Sequence, residues 1–175
     1  LSLVELLVEK GKDALKDVPE NIRSNKDAMA ETIENNLRRV IIEESPTNPM
    51  YYEKMSVLLD ELIKRRREAT LEYEKYLNEI IALSRKVKKP NTATEYPASL
   101  NTNAKRALYD NLGKNEELAI ELDHKIMTTK KDVWRDNKIK TREVEYVIKE
   151  VLDTFQIKEP DVAYIIELVK NQKDY

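Results

Sequence analysis

Residues 49–87 read PMYYEKMSVLLDELIKRRREATLEYEKYLNEIIALSRKV, with no proline or glycine after Pro49. Met55, Leu59, Leu62, Ala69, Tyr73, Tyr76, Ile80 and Leu83 recur on the three-and-four rhythm of a coiled-coil seam. Asn48 is a good N-cap, and Pro49 falls at the first helical position, where its missing N–H costs nothing. The reading is one very long helix over about 49–87, on the order of 57 Å at 1.5 Å per residue. Such a seam needs a partner, and the fold class follows: all-α, with the long helix in a helical hairpin followed by a cluster of shorter helices.

Working upstream, Met29, Ile33, Leu37, Val40 and Ile41 form an amphipathic stripe from a cap at Ser24 or Asn25 to about Glu44. This helix is the expected other arm of the hairpin, with Ser45-Pro46-Thr47-Asn48-Pro49 as the stop and restart. A first helix is expected over about 3–15, weakened by Gly11 and ended by Pro19. Downstream, two prolines in ten residues mark 90–99 as a linker. Shorter helices are expected over about 102–112, ended by Gly113, then 116–129, 139–152 and 160–171. The expected organisation is a helical domain over 1–89, the linker, and a small helical domain over 100–175. No segment alternates with period two, so no sheet is expected.

The composition fits long, solvated helices. Of 175 residues 37% are charged, yet 31 Lys+Arg and 33 Asp+Glu nearly cancel, and there are only two glycines. The absence of cysteine excludes a disulfide framework or a thiolate metal site and suits a reducing cytoplasm. No apolar run approaches the ~20 residues of a membrane span. The opening LSLVELLV has neither the basic start nor the cleavage site of a signal peptide. It starts in mid-helix without an initiator Met, as expected of a piece of a longer chain.

Three features invite a chemical reading. His124 stands in Glu121-Leu122-Asp123-His124, and Glu-x-x-His on a helix is half of a di-iron carboxylate site. The other half needs a second His that the sequence lacks, so His124 reads as an ordinary helix residue. Lys64-Arg65-Arg66-Arg67 could grip phosphates, but four consecutive helical residues fan around the helix, and Asp60 and Glu61 stand four positions before Lys64 and Arg65 as ion-pair partners. Arg65 and Arg66 interrupt the seam and are the candidates for contact with phosphate or an acidic partner. The third feature runs from Lys125 through Lys130, Lys131, Arg135, Lys138 and Lys140 to Arg142, and it holds the only Trp, Trp134. A Trp among basic residues can stack on nucleic acid; the commoner use of so large an apolar side chain is to anchor a loop in the core. Lys130, Lys131, Trp134 and Arg135 are therefore candidate DNA or partner contacts. No glycine-rich phosphate loop, cysteine nucleophile or carboxylate–lysine nuclease cluster is present, so no catalytic residue, metal ligand or cofactor is assigned to these positions.

Several stretches look familiar in order: AETIENNLRRVIIEE (30–44), NPMYYEKMS (48–56), YPASLNTNAKRALYDNL (96–112), WRDNKIK (134–140) and LVKNQKDY (168–175). Together they resemble the C-terminal region of the R (restriction, or motor) subunit of type I restriction–modification enzymes, over nearly the whole chain. The sequence departs at Asp136, where the family often has Gly, and at Thr141, where an acidic residue is common. The resemblance implies a larger enzyme that cleaves unmethylated foreign DNA, with a nuclease domain and two RecA-like motor domains that use ATP and Mg2+. It implies the methyltransferase (modification) and specificity subunits as partners, along with the motor domains of the same chain and DNA. The helical C-terminal part would serve assembly on the methyltransferase core or bracing of the motor. Two rival readings are an unrelated coiled-coil adaptor, which would self-associate, and a nucleic-acid-binding helical module, which would be basic, against a net charge of −2 here.

Overall fold

A computed structural model describes residues 2–93 and 95–175; Leu1, in the opening apolar run, and Thr94, in the expected linker, lie outside the described residues. Those residues are helical and contain no strand. The α-helices are α1 (Leu3–Lys10), α2 (Glu20–Arg23), α3 (Lys26–Glu44), α4 (Pro49–Arg67), α5 (Tyr73–Lys88), α6 (Pro90–Ala93), α7 (Asn103–Asn111), α8 (Glu116–Thr129), α9 (Lys138–Thr154) and α10 (Val162–Lys170). Short 3-10 segments cover Gly11–Asp17, Ser45–Thr47 and Trp134–Asp136. Among the described residues no helix is long and apolar enough to cross a membrane.

The single long helix expected over 49–87 is instead two, and the break has a local cause. Ala69 takes the left-handed conformation at φ 54°. The Ala69 N–H donates to the carbonyl of Arg66, and the Thr70 N–H donates to that of Arg65. This is the Schellman arrangement, which satisfies the orphan carbonyls of a helix end and normally uses Gly at the left-handed position. The Thr70 hydroxyl adds a second bond to the Arg65 carbonyl. Extended Glu72 then starts α5. The chain therefore doubles back: Tyr52 near the start of α4 donates to the carbonyl of Val87 at the end of α5, and Arg65 pairs with Glu79. Two halves of the expected seam thus face one another, with Met55, Leu59 and Leu62 buried on α4 and Tyr76, Ile80 and Leu83 buried on α5. Between them Ala69 is exposed.

The chain divides into two compact units, one of Leu1–Ser45 and Tyr52–Glu95, the other of Pro46–Tyr51 and Tyr96–Tyr175. In the first, α3 runs antiparallel to α4, α5 returns along both, and α1 packs on α3 and α5. The expected first helix stops at Lys10 because Gly11, at φ 61°, continues as 3-10 helix to Asp17. The core is aliphatic, with Leu7, Met29, Ile33, Leu37, Leu59 and Ile80 all closed to solvent. The second unit packs α7 on α8, α8 on α9 and α9 on α10. Asn115, Asn137 and Asp161 cap α8, α9 and α10 through their side chains. Pro46–Tyr51 belongs to this unit through amides: Asn48 donates to Asp110 at 2.8 Å, Asn111 donates to Asn48 at 2.8 Å, and Gln172 donates to the Thr47 carbonyl at 2.7 Å. Part of the expected linker is helical, as α6.

Candidate functional site

The six residues singled out from the sequence divide between the units. Arg65 and Arg66 stand in the last turn of α4, in the first unit. Arg65 is half exposed and pairs with Glu79 at 3.0 Å. Arg66 turns inward. Its Nε and Nη2 grip both oxygens of Glu34 at 2.7 and 2.9 Å, and its plane lies 5.9 Å from the Tyr76 ring centroid. The Tyr76 hydroxyl donates to the same carboxylate at 2.6 Å. The Arg66 side chain is 10% exposed and that of Glu34 only 4%. The hydrogen bond to Glu34 holds the guanidinium still more firmly protonated, and burial, followed by the Glu34 bond, pushes the Tyr76 phenol well above its usual range. This is a forked, charge-assisted interior clamp of α3, α4 and α5, and it leaves Arg66 little capacity to reach a phosphate. Beside it, Glu31, Asn35, Arg38, Asp60, Lys64 and Arg67 line a polar groove of about 680 Å³ in which acids and bases alternate.

Lys130, Lys131, Trp134 and Arg135 are brought together in the second unit. Trp134 is 2% exposed, and its indole N–H donates to the carbonyl of Tyr175 at 3.2 Å. Arg135 stacks 4.9 Å from the Trp134 ring and donates to the carbonyls of Lys170 and Gln172 at 2.9 and 2.6 Å. Tyr175 is buried in turn, with its hydroxyl on Asp123 at 2.5 Å. Trp134 thus anchors its loop, and Arg135 fastens residues 170–175 to it. Thr141 is buried with its hydroxyl on the Trp134 carbonyl at 2.6 Å. Lys131 pairs with Glu143 at 3.0 Å. Lys130 ends α8 half-buried. His124 is exposed on α8, and among the described residues no group of three His, Cys, Asp or Glu is placed to hold a metal ion.

What the loop does present is its neighbour. Thr129, Ile139, Arg142, Glu143, Tyr146 and Val147 line an open groove of about 500 Å³ on the outer side of α9. Ile139 is 72% exposed and Tyr146 65%, unusual values for such large side chains. The inner side of the same helix buries Thr141, Val144, Ile148, Val151 and Leu152. In the sequence Val144, Val147, Ile148 and Val151 recur at three-and-four spacing as a core stripe, and Ile139 and Tyr146 lie off it. A signal was there: at 100° per residue, Ile139 and Tyr146 point away from that stripe. No protein-family model, curated protein or solved structure matches the chain.

Proposed function

We propose that this chain is the C-terminal helical region of a type I restriction enzyme's R subunit and works as a docking module for the methyltransferase core. The observation that carries the docking role is the outward pair Ile139 and Tyr146, two large apolar side chains left open on a helix whose opposite face is fully packed. The ordered resemblance of residues 30–44, 48–56, 96–112, 134–140 and 168–175 supports the family assignment. On this reading the parent chain holds the nuclease and motor domains, requires ATP and Mg2+, and translocates and cuts unmodified DNA. Arg66, Trp134 and Arg135 then serve as internal fasteners, Arg65 and Lys131 are held in ion pairs, and Lys130 is the one of the six left for a partner or DNA.

The assignment is tested by mixing the purified chain with a type I methyltransferase core, modification plus specificity subunits, in size-exclusion chromatography with light scattering. Co-elution at a fixed ratio is expected. Separate elution at every concentration and salt would exclude docking through this chain.

A further inference from the structure

We propose that the outer groove of α9 takes an acidic amphipathic helix from a partner protein. The inference deepens the docking reading by naming the surface and the chemistry of what it holds. Ile139 and Tyr146 lie seven residues apart, two helical turns or about 10 Å along one face. That spacing matches the apolar stripe of a second helix packed along the groove. The first turn of α9 carries Lys138 and Lys140 and no acid, with Asp132 and Asp136 in the turn before it. Arg142 lines the groove, Lys138 stands one turn before it, and Lys130 ends α8; none has an ion pair among the described residues. The one acid in the groove, Glu143, is already neutralised by Lys131 at 3.0 Å. Glu150 and Asp153 lie beyond Tyr146, so the partner's acidic residues are expected at the Ile139 end. Val133, in the turn leading into α9, is 72% exposed and β-branched at φ 58°, a combination costly both in backbone strain and in exposed apolar surface.

The centre of the face argues against the other occupants. A phosphate backbone laid across it would cover Ile139 rather than cations, and the one Trp that could stack a base is buried. A membrane surface needs a wider apolar stripe than two residues flanked by Glu143 and Glu150. A helix that brings leucines to Ile139 and Tyr146 and carboxylates to Arg142 and Lys138 satisfies both halves of the surface.

The test uses the whole chain and a fluorescein-labelled synthetic helix of about five turns, glutamate-rich, with leucines at three-and-four spacing. Binding is read by anisotropy against Ile139→Asp, Arg142→Glu and Tyr146→Ser. All three positions are on the outer face, and unchanged circular dichroism checks that each variant folds. Saturable binding weakened about tenfold or more by each substitution is expected, with loss when the leucine spacing is scrambled. No binding, binding equal in the variants, or tighter use of the same residues by an oligothymidine or phosphatidylserine vesicles would overturn the proposal. Failure of the peptide while the chain still joins the methyltransferase core sinks this groove and leaves docking intact. Peptide binding by a chain that does not join that core upholds the groove and excludes docking on the methyltransferase core.

Discussion

Inside the first unit Glu34 takes two bonds from Arg66 and one from Tyr76 while itself 4% exposed. A buried pair loses most when one partner is removed and the other stays charged. Arg66→Ala, which strands the Glu34 carboxylate, is expected to destabilise by about 3–5 kcal/mol in urea unfolding. Tyr76→Phe leaves the ion pair intact and is expected to cost only about 1 kcal/mol. Equal losses in the two variants would show that the ion pair is not the controlling element. None of this could be read from the run Lys64-Arg65-Arg66-Arg67. Its neighbours in sequence pointed to exposed pairs with Asp60 and Glu61, whereas the partners came from residues 34 and 79, through folding. In the second unit Trp134→Ala empties a core position and frees the Tyr175 carbonyl. Its expected cost is about 3–5 kcal/mol by the same measurement.

At the scale of elements, the turn at Ala69 sets the architecture of the first unit. An alanine held left-handed carries a strain that glycine does not, on the order of 1 kcal/mol. Ala69→Gly is therefore expected to stabilise the chain by about that amount, because the side chain is exposed and nothing is lost. A destabilising Ala69→Gly would mean that helix propensity, and hence a straight helix through this point, governs the region. The same turn explains where sequence reading succeeds and where it stops. Of the two caps expected at the start of α3, Ser24 or Asn25, the side chain of Asn25 is the one that caps, while the starts expected at about 102, 116 and 139 fall within one residue of those of α7, α8 and α9. The stop at Gly113 was legible because Gly favours the positive φ, here 73°, that such a stop adopts. The stop at Ala69 was invisible, since alanine is the strongest helix former and only the packing of α5 back on α4 repays its conformation. The expected linker over 90–99 contains Tyr96, where the second unit begins again, yet Asn48 and Gln172 carry no sequence signal that they hold residues 46–51 to that unit. The core stripe of α9 was readable from its period. The groove opposite was not, because an exposed Ile and Tyr stand out only once the other face is known to be filled.

At the scale of the molecule, three tyrosines, Tyr76 and Tyr175 buried and Tyr96 half-buried, recur in one arrangement: Tyr76 on Glu34, Tyr96 on Asp110 and Tyr175 on Asp123. Burial first, and then the hydrogen bond to the carboxylate, pushes each phenol above its usual value of 10.0. The folded state therefore favours the neutral phenol. That contribution is complete below the unfolded value and is lost as pH rises through and beyond 10.0. In an alkaline titration the phenolate absorbance of these three should appear only together with loss of helical ellipticity. Their reversible ionisation with the helices intact would contradict this. Docking through the outer side of α9 is open to hydrogen–deuterium exchange of the chain with and without a type I methyltransferase core. Slowed exchange is expected in the first half of α9 and in residues 129–134, with the rest of the second unit's core unchanged. Slowing confined to the first unit, or none anywhere, would rule out docking by this face.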